Sequence, residues 1–364
     1  MLPYNMIDVC GLLGIPVPPG RAHFETVCPA CGGKRFDINV VKNVCNCPKC
    51  DTGGGMNVLY SLFTGIPKNE VFREITKKLG RGAGADTNQN AYQAPTEAPL
   101  ASLEKRDGTY CALLDQLSLA ADHRASLKAR GFTDAEIDWL GYRTTPMTGH
   151  RLITENLQMQ GCYLKGVPPF FRMASSKMMT LKRMERGILV PVRNLDAKIQ
   201  GITSRNDKVR KGKFSWLSSA NMLDGCAAKA WAHYVGDWKD GEEDIFLTEG
   251  PMKADLAYLI TRKPFIAIPG VSATDGAVEM LQELKKRGLK RVRIALDMDY
   301  LDMEVDENGE ITNEHSQVFK SYAKLIGKIT DLGLIYTRVK WPREYKGIDD
   351  YLAAKYRGVG VKAN

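Results

Sequence analysis

Apolar and polar positions follow two different rhythms along this chain, and the change of rhythm divides it. From residue 243 onward, short apolar runs are separated by longer stretches of helical period. "DIFLTEG" has the apolar density of a buried strand, and the helical pattern behind it puts Leu256, Leu259 and Ile260 on one side. "PFIAIPG" precedes a predicted helix over 274–287, "RVRIALDMD" precedes one over 315–331, and "LIYTRVKW" closes the series. Strands that alternate with helices in this way predict a parallel sheet. Between 101 and 242, helical segments mingle with short runs such as "GILVPV" and "KIQGITSR", which predicts an α+β region rich in strands. An amphipathic helix, "PKNEVFREITKKLG", closes the first eighty residues. Residues 81–100, "RGAGADTNQNAYQAPTEAPL", have almost no aliphatic bulk and cannot bury a core, so they read as a flexible linker. The expected organisation is a multidomain α/β protein. It has a small β-rich module at 1–80, a linker at 81–100, an α+β subdomain at 101–242 and a parallel-sheet α/β domain at 243–357.

Charge and cysteine usage narrow the picture. Lys and Arg number 51 against 42 Asp and Glu, a surplus that favours a polyanionic partner. No apolar run is long enough to span a membrane. The start, "MLPYNMIDVCGLLGIP", lacks the basic segment of a secretory signal, so a cytoplasmic protein is expected. Nine cysteines in a reducing compartment point to metal ligands or free thiols rather than disulfides. Cys10, Cys111, Cys162 and Cys226 read as ordinary buried thiols.

The remaining cysteines have a pattern. "CPACGGKRFDINVVKNVCNCPKC" contains Cys28-x2-Cys31, fifteen residues, then Cys47-x2-Cys50. Two such knuckles are the signature of a closed four-thiolate zinc site, structural in role and one per chain. Cys45 competes for the place of Cys47, but choosing it would break the second knuckle. Lys34, Arg35, Lys42 and Lys49 surround the site beside Phe36, a mixture that suits contact with single-stranded nucleic acid.

Acidic residues recur where the predicted strands end. Glu249 follows the first strand, Asp297 and Asp299 end the third, and Asp349 follows the fourth in "YKGIDDYL". Ligands bind at the carboxyl ends of strands in open α/β sheets. If the first and third strands are neighbours, Glu249 and the Asp pair converge on one rim, the two aspartates sharing a strand face. Carboxylates about 4 Å apart repel by roughly 4 kcal/mol per pair at an effective dielectric of ~20. A hard divalent cation, Mg2+ or Mn2+, relieves that repulsion.

Glu-Gly after the first strand and Asp-x-Asp after the third resemble the TOPRIM domain. "SLKARGFTDAEIDWLGYRTTP" resembles the helical start of the RNA polymerase domain of bacterial and phage DnaG-type primases. "ILVPVRNLDAKIQGITSRND" resembles its basic β-rich subdomain, and "KFSWLSS" follows as it does there. The cysteine ribbon is similar to the zinc module of phage primase–helicases. The resemblance runs from the first knuckle to about Leu352 and is broken only by the linker. Two departures stand out: Lys253 occupies a position where the family often has an Asp ligand, and "YLDMEVDENGEI", with a predicted turn at Asn308-Gly309, follows the Asp pair.

What the resemblance implies is a DNA primase that makes short RNA primers from NTPs on a single-stranded DNA template. Glu249, Asp297 and Asp299 would be catalytic, and these three with Asp349 would hold magnesium. From Arg172 to Lys213 twelve Lys/Arg face three acidic residues, a surplus that suits phosphate contact. Arg130, Arg193, Arg205 and Lys213 match family residues near the triphosphate or template, and Phe214 could stack a base, whereas Trp216 reads as core. No helicase-like segment follows, which makes a separate replicative helicase the expected partner. Two other readings use the same residues: a TOPRIM-type nuclease, or a single-stranded DNA-binding adaptor whose catalysis has lapsed at Lys253.

Overall fold

The computed structural model describes residues 2–50, 52–80, 97–173, 178–208, 212–239, 241–297, 307 and 316–360. The chain divides into two compact units, Met1–Pro95 and Thr96–Asn364. Most of the expected linker, 81–96, lies outside the described residues, as do Asp299 and the turn expected at Asn308-Gly309. Residues 97–100 are not linker: the Ala98 N–H donates to the Gly225 carbonyl at 2.8 Å, which ties them to the second unit.

The first unit begins with helix α1 (Met6–Leu12). Its N-cap, Asn5, accepts from the Ile7 and Asp8 N–H groups while Asp8 reaches back to the Asn5 N–H, a reciprocal cap. Strands β1 (His23–Thr26), β2 (Phe36–Asn39), β3 (Val44–Asn46) and β4 (Gly53–Gly55) form an antiparallel sheet in chain order. Helices α2 (Met56–Thr64) and α3 (Lys68–Lys78) follow, and their Leu59, Tyr60, Val71 and Ile75 join Phe36 and Ile38 in one buried cluster.

The second unit opens with helices α4 (Leu103–Asp115), α5 (Ala121–Lys128) and α6 (Asp134–Leu140). Strand β5 (Arg143–Thr144), helix α7 (His150–Met159) and a two-stranded ribbon of β6 (Phe170–Arg172) and β7 (Met179–Leu181) come next. Strands β8 (Gly187–Arg193), β9 (Ile199–Asn206) and β10 (Phe214–Trp216) complete an antiparallel sheet of order β10-β9-β8-β5.

The rest is the α/β layer anticipated from the alternating pattern. Its elements are β11 (His233–Val235), β12 (Asp244–Glu249), α8 (Pro251–Thr261), β13 (Phe265–Ile268), α9 (Asp275–Lys286), β14 (Arg291–Ile294), α10 (Ser316–Asp331), β15 (Ile335–Arg338) and α11 (Ile348–Arg357). The sheet order is β11-β13-β12-β14-β15, and all pairings are parallel except that of β11. The first and third predicted strands, β12 and β14, are therefore neighbours. Helices α9 and α10 cover one face over Ile245, Leu247 and Ile294, while α8 and α11 cover the other over Phe265 and Ala267. Burial on both faces explains why these strands read as continuous apolar runs.

Two expectations change. The third strand stops at Ile294, not Asp299. Ala295 makes one last bond, to the Leu247 carbonyl at 2.7 Å, and Asp297 lies beyond the strand. The boundary at 242/243 is not structural either, because β11 comes from the preceding segment and pairs with β13.

The two sheets of the second unit meet at a buried carboxylate. Asp255 on α8 is 1% exposed and accepts from the Tyr142 hydroxyl at 2.5 Å and from His233 Nε2 at 3.0 Å. His233 Nδ1 accepts from the Arg193 N–H at 3.0 Å, which leaves Nε2 as the donor to Asp255. Ile188 and Val190 of β8 pack on Met252 and Leu256 of α8 around this node. Asp255→Ala would strand two buried donors, at a cost of about 3 kcal/mol or more. Thermal unfolding of the variant should show the second unit melting several degrees lower, with metal retention by the first unit unchanged.

Candidate functional site

In the first unit, Cys28 and Cys31 lie on the loop after β1, and Cys47 and Cys50 on the loop after β3. Each loop turns tightly: the Gly32 N–H bonds back to the Cys28 carbonyl at 2.9 Å, and Cys47 N–H to the Thr52 carbonyl at 2.9 Å. Gly32 takes φ +67°, a left-handed turn that favours glycine. The four sulfurs all lie within 4.8 Å of one another, with Cys28–Cys50 at 3.8 Å and Cys31–Cys47 at 3.7 Å. A tetrahedron with Zn–S bonds of about 2.3 Å has sulfurs about 3.8 Å apart, so the donor set fits zinc. Cys45 is excluded by its place within β3, one residue before the strand ends, whereas Cys47 lies on the loop beyond it. Val44 and Asn46 face solvent, and the Cys45 thiol turns inward to the Gly54 carbonyl at 3.4 Å. Phe36 is fully buried against Phe63 and cannot stack a base, so only the exposed Lys34, Arg35, Lys42 and Lys49 are left for contact. Of the thiols read as buried, Cys111 is exposed and Cys162 half-buried.

Cys47→Ser should release the metal and unfold the first unit, because the bound ion supplies much of the folding energy of so small a core. Cys45→Ser should retain it. Metal analysis of the two purified variants, with circular dichroism, checks the assignment.

The second unit carries a cavity of about 610 Å³ where the antiparallel sheet faces the carboxyl ends of the parallel strands. Its acidic side starts at Glu249. The chain leaves β12 through Gly250, with φ +85° and its N–H bonded to the Ile268 carbonyl at 2.9 Å. Pro251 then opens α8 as its first residue, where a missing N–H costs nothing. This sharp handover leaves the Glu249 carboxylate at the rim of the cavity rather than on the helix. Asp297, three residues past β14, lines the same cavity and pairs with the Lys253 ammonium.

The opposite side is cationic. Arg130, Arg205, Lys213 and Lys346 line it, with Phe214, Ser215 and Trp216 of β10. Burial pushes the Lys213 ammonium below its ordinary range, and the nearby Arg205, Arg130, Lys253 and Lys346 push it further. Burial likewise lowers Arg205, with Arg130 adding to the effect. Cations held this close favour an anion that relieves them. Phe214 is 42% exposed, and Trp216 meets Trp231 edge-on at 5.5 Å while still reaching the cavity.

Two expected residues lie elsewhere. Asp349, in the first turn of α11, is wholly buried, and its Oδ2 accepts from Arg130 Nη2 at 2.7 Å. Burial raises its pKa above the usual carboxylate range, partly offset by Arg130, and it is the adjacent Asp350 that lines the cavity. Arg193 does not line the cavity and donates to the Ala197 carbonyl of its own hairpin at 3.0 Å. Among the described residues the four thiols are the only group of metal-ligand side chains close enough to cage an ion. Glu249, Asp297 and Asp349 therefore do not form a three-carboxylate cage. Glu249 and Asp297 suit instead an ion bound by one or two carboxylates together with phosphates. The stretch "YKGIDDYL" places both Asp349 and Asp350 at this strand edge, and of its residues it is Asp350, with Lys346, that lines the cavity; nothing in the local pattern singles out Lys346.

Comparison with known proteins follows this geometry. A family model described as a domain of unknown function (DUF3854) matches residues 238–358, about a third of the chain and most of the α/β layer. No curated protein matches. The crystal structure of the Aquifex aeolicus primase (zinc binding and RNA polymerase domains) is similar, at 16% identity and a TM-score of 0.50. That likeness covers 97% of this chain and 80% of that one. The RNA polymerase domain of Mycobacterium tuberculosis primase DnaG matches at 16% identity and a TM-score of 0.50, over 71% of this chain and 81% of that one. The chain has a DnaG-like primase fold. At these identities the likeness is one of fold alone.

Proposed function

We propose that this chain is a DNA primase, an RNA polymerase that makes short primers on single-stranded DNA with its α/β layer acting as a TOPRIM domain. The observation that carries the reading is one cavity with a cationic wall facing two carboxylates at strand ends. A nucleoside triphosphate is the ligand class that needs both. Its phosphates would relieve the crowded Arg205, Lys213 and Lys346, and its base would lie on Phe214 beside Trp216.

Glu249 and Asp297 would hold Mg2+ or Mn2+ on the triphosphate, with Asp299 as the third residue of the sequence pattern. The ion, when bound, supplies charge neutralisation at the phosphates and makes a nearby 3′-hydroxyl easier to deprotonate. Glu249 would take up that proton through water. Arg205 and Lys213 would stabilise the negative charge that develops on the phosphoryl oxygens as the new bond forms. Arg130 is held on Asp349 and would act by shaping the wall rather than by moving. A second reading, a DNA-binding adaptor without catalysis, draws on the Lys253–Asp297 pair.

Glu249→Gln and Asp297→Asn should each lower primer synthesis by about a thousandfold or more. Affinity for single-stranded DNA should stay within about twofold, because it rests on the basic surface. A filter-binding assay and labelled-NTP incorporation on a pooled single-stranded template measure the two effects. Equal, negligible incorporation by wild type and both variants would favour the adaptor.

The first unit is proposed to present template to that cavity. Read as the linker its composition predicts, the segment 81–96 would have a root-mean-square span of about 22 Å, which would set an effective concentration near millimolar. Initiation from two NTPs depends most on such help, since no duplex is yet available to stack on. Deleting residues 1–80 should abolish initiation at preferred sites and spare extension of an annealed primer. Initiation by the truncated chain at the same sites and rate would remove the ribbon from template reading.

A further inference from the structure

Lys253 stands in the first turns of α8, four residues after Glu249, and its ammonium pairs with the Asp297 carboxylate. Both side chains are mostly enclosed, 21% and 13% exposed, and both line the cavity. The Lys253 stem runs beside Gly347, where an added Cβ would meet its Cδ and Cε at 3.4 Å. The lysine is thus held between the turn after β12 and the loop into α11. Its charge also bears on Lys213 across the cavity and on the buried Asp349.

This arrangement sets two cations in competition for one carboxylate. Asp297 Oδ1 is occupied by the ammonium, so a divalent ion that uses this carboxylate either displaces Lys253 or binds against its positive charge at close range. A displaced ammonium would enter a cavity already crowded by Arg205, Lys213 and Arg130, which is unfavourable while the cavity holds only water. It becomes favourable once a polyanion is there.

Resting on the reading of the cavity as a metal–triphosphate site, we propose that Lys253 is a phosphate-binding residue stored on Asp297. In the empty site the ammonium neutralises the carboxylate. On arrival of a metal–triphosphate it exchanges onto the phosphate oxygens, and Asp297 turns to the metal. No covalent bond changes and no proton is transferred: Lys253 and Asp297 keep their charges and change partners. Metal and triphosphate binding are coupled as a result: each alone meets a closed ion pair, and each opens the site for the other by the same factor. The residue at this position makes the metal site conditional on substrate.

The test is equilibrium binding of Mn2+ to the full chain, followed by electron paramagnetic resonance, with and without a non-hydrolysable NTP analogue. Wild type, Lys253→Gln, Lys253→Met and Lys253→Arg are compared, with thermal unfolding used to establish that each variant is folded. Wild type should bind Mn2+ weakly alone and much more tightly with the analogue. K253Q and K253M should bind Mn2+ alone at least about tenfold more tightly, and the Mn2+–analogue complex about tenfold more weakly. The analogue's enhancement of Mn2+ affinity should therefore largely vanish. K253R, which keeps the charge, should resemble wild type for Mn2+ alone and provides the charge-dependent readout if a neutral variant fails to fold, since tightening by K253R would overturn the competition. Unchanged Mn2+ affinity in both neutral variants overturns the stored-cation role and leaves the polymerase reading standing. Failure of wild type to bind Mn2+ with the analogue overturns both.

Discussion

The carboxylate of Asp255 accepts from Tyr142, just before β5, and from His233 on β11, and His233 is itself oriented by the backbone at the end of β8. Four segments thereby share one buried node, and with it the angle between the antiparallel sheet and the α/β layer. A node of this kind is costly to leave incomplete, because each stranded donor would be buried without water. It therefore admits one arrangement of the two sheets. The cavity lies between the two: Arg205 and Lys213 come from the antiparallel sheet and its hairpin, Glu249 and Asp297 from the strand ends of the α/β layer.

Within that frame, the chemistry at the rim follows from backbone geometry. Gly250 and Pro251 turn the chain out of β12 so sharply that Glu249 keeps its place at the strand end. Across the gap, Arg205 and Lys213 are held partly buried and close to other cations, an arrangement stabilised by whatever anion binds there. Hydrophobic layers pack beneath the rim, α9 and α10 on one face of the sheet and α8 and α11 on the other. Under the proposed reading, this balance of opposed charges would favour an ion that arrives with phosphates over an ion alone.

The ribbon unit is built on a different economy of forces. Its core of Met6, Val9, Phe36, Ile38, Leu59, Tyr60, Val71 and Ile75 is small, and the four sulfurs lie where a tetrahedral ion would join its two loops. Knuckle spacing and the end of β3 decide between Cys45 and Cys47. The first lies within the strand with its thiol on the Gly54 carbonyl, and the second lies past the strand end, 3.7 Å from Cys31.

The sequence by itself determined much of this. Apolar runs with helical patterns between them gave four parallel strands and their helices, because burial on both faces leaves no room for polar residues there. Cysteine spacing gave the metal ligands, because a knuckle is a local turn whose geometry needs only a few neighbouring residues. Glu249 was legible because it closes an apolar strand and precedes Gly-Pro. Most of what only the tertiary structure decided depends on partners far apart in the chain. Arg130 reaches Asp349 across 219 residues, and that contact, together with complete burial, withdraws Asp349 from the cavity and leaves Asp350 there. Lys253 meets Asp297 across 44 residues, so a position that read as a lost ligand became a cation at the rim. Arg193 read as a phosphate contact and serves its own hairpin, because a charge count does not say which way a side chain on a strand end turns. Local pattern is written in periodicity and turn chemistry, whereas the pairing of charges is settled by which surfaces the buried Asp255 node brings together.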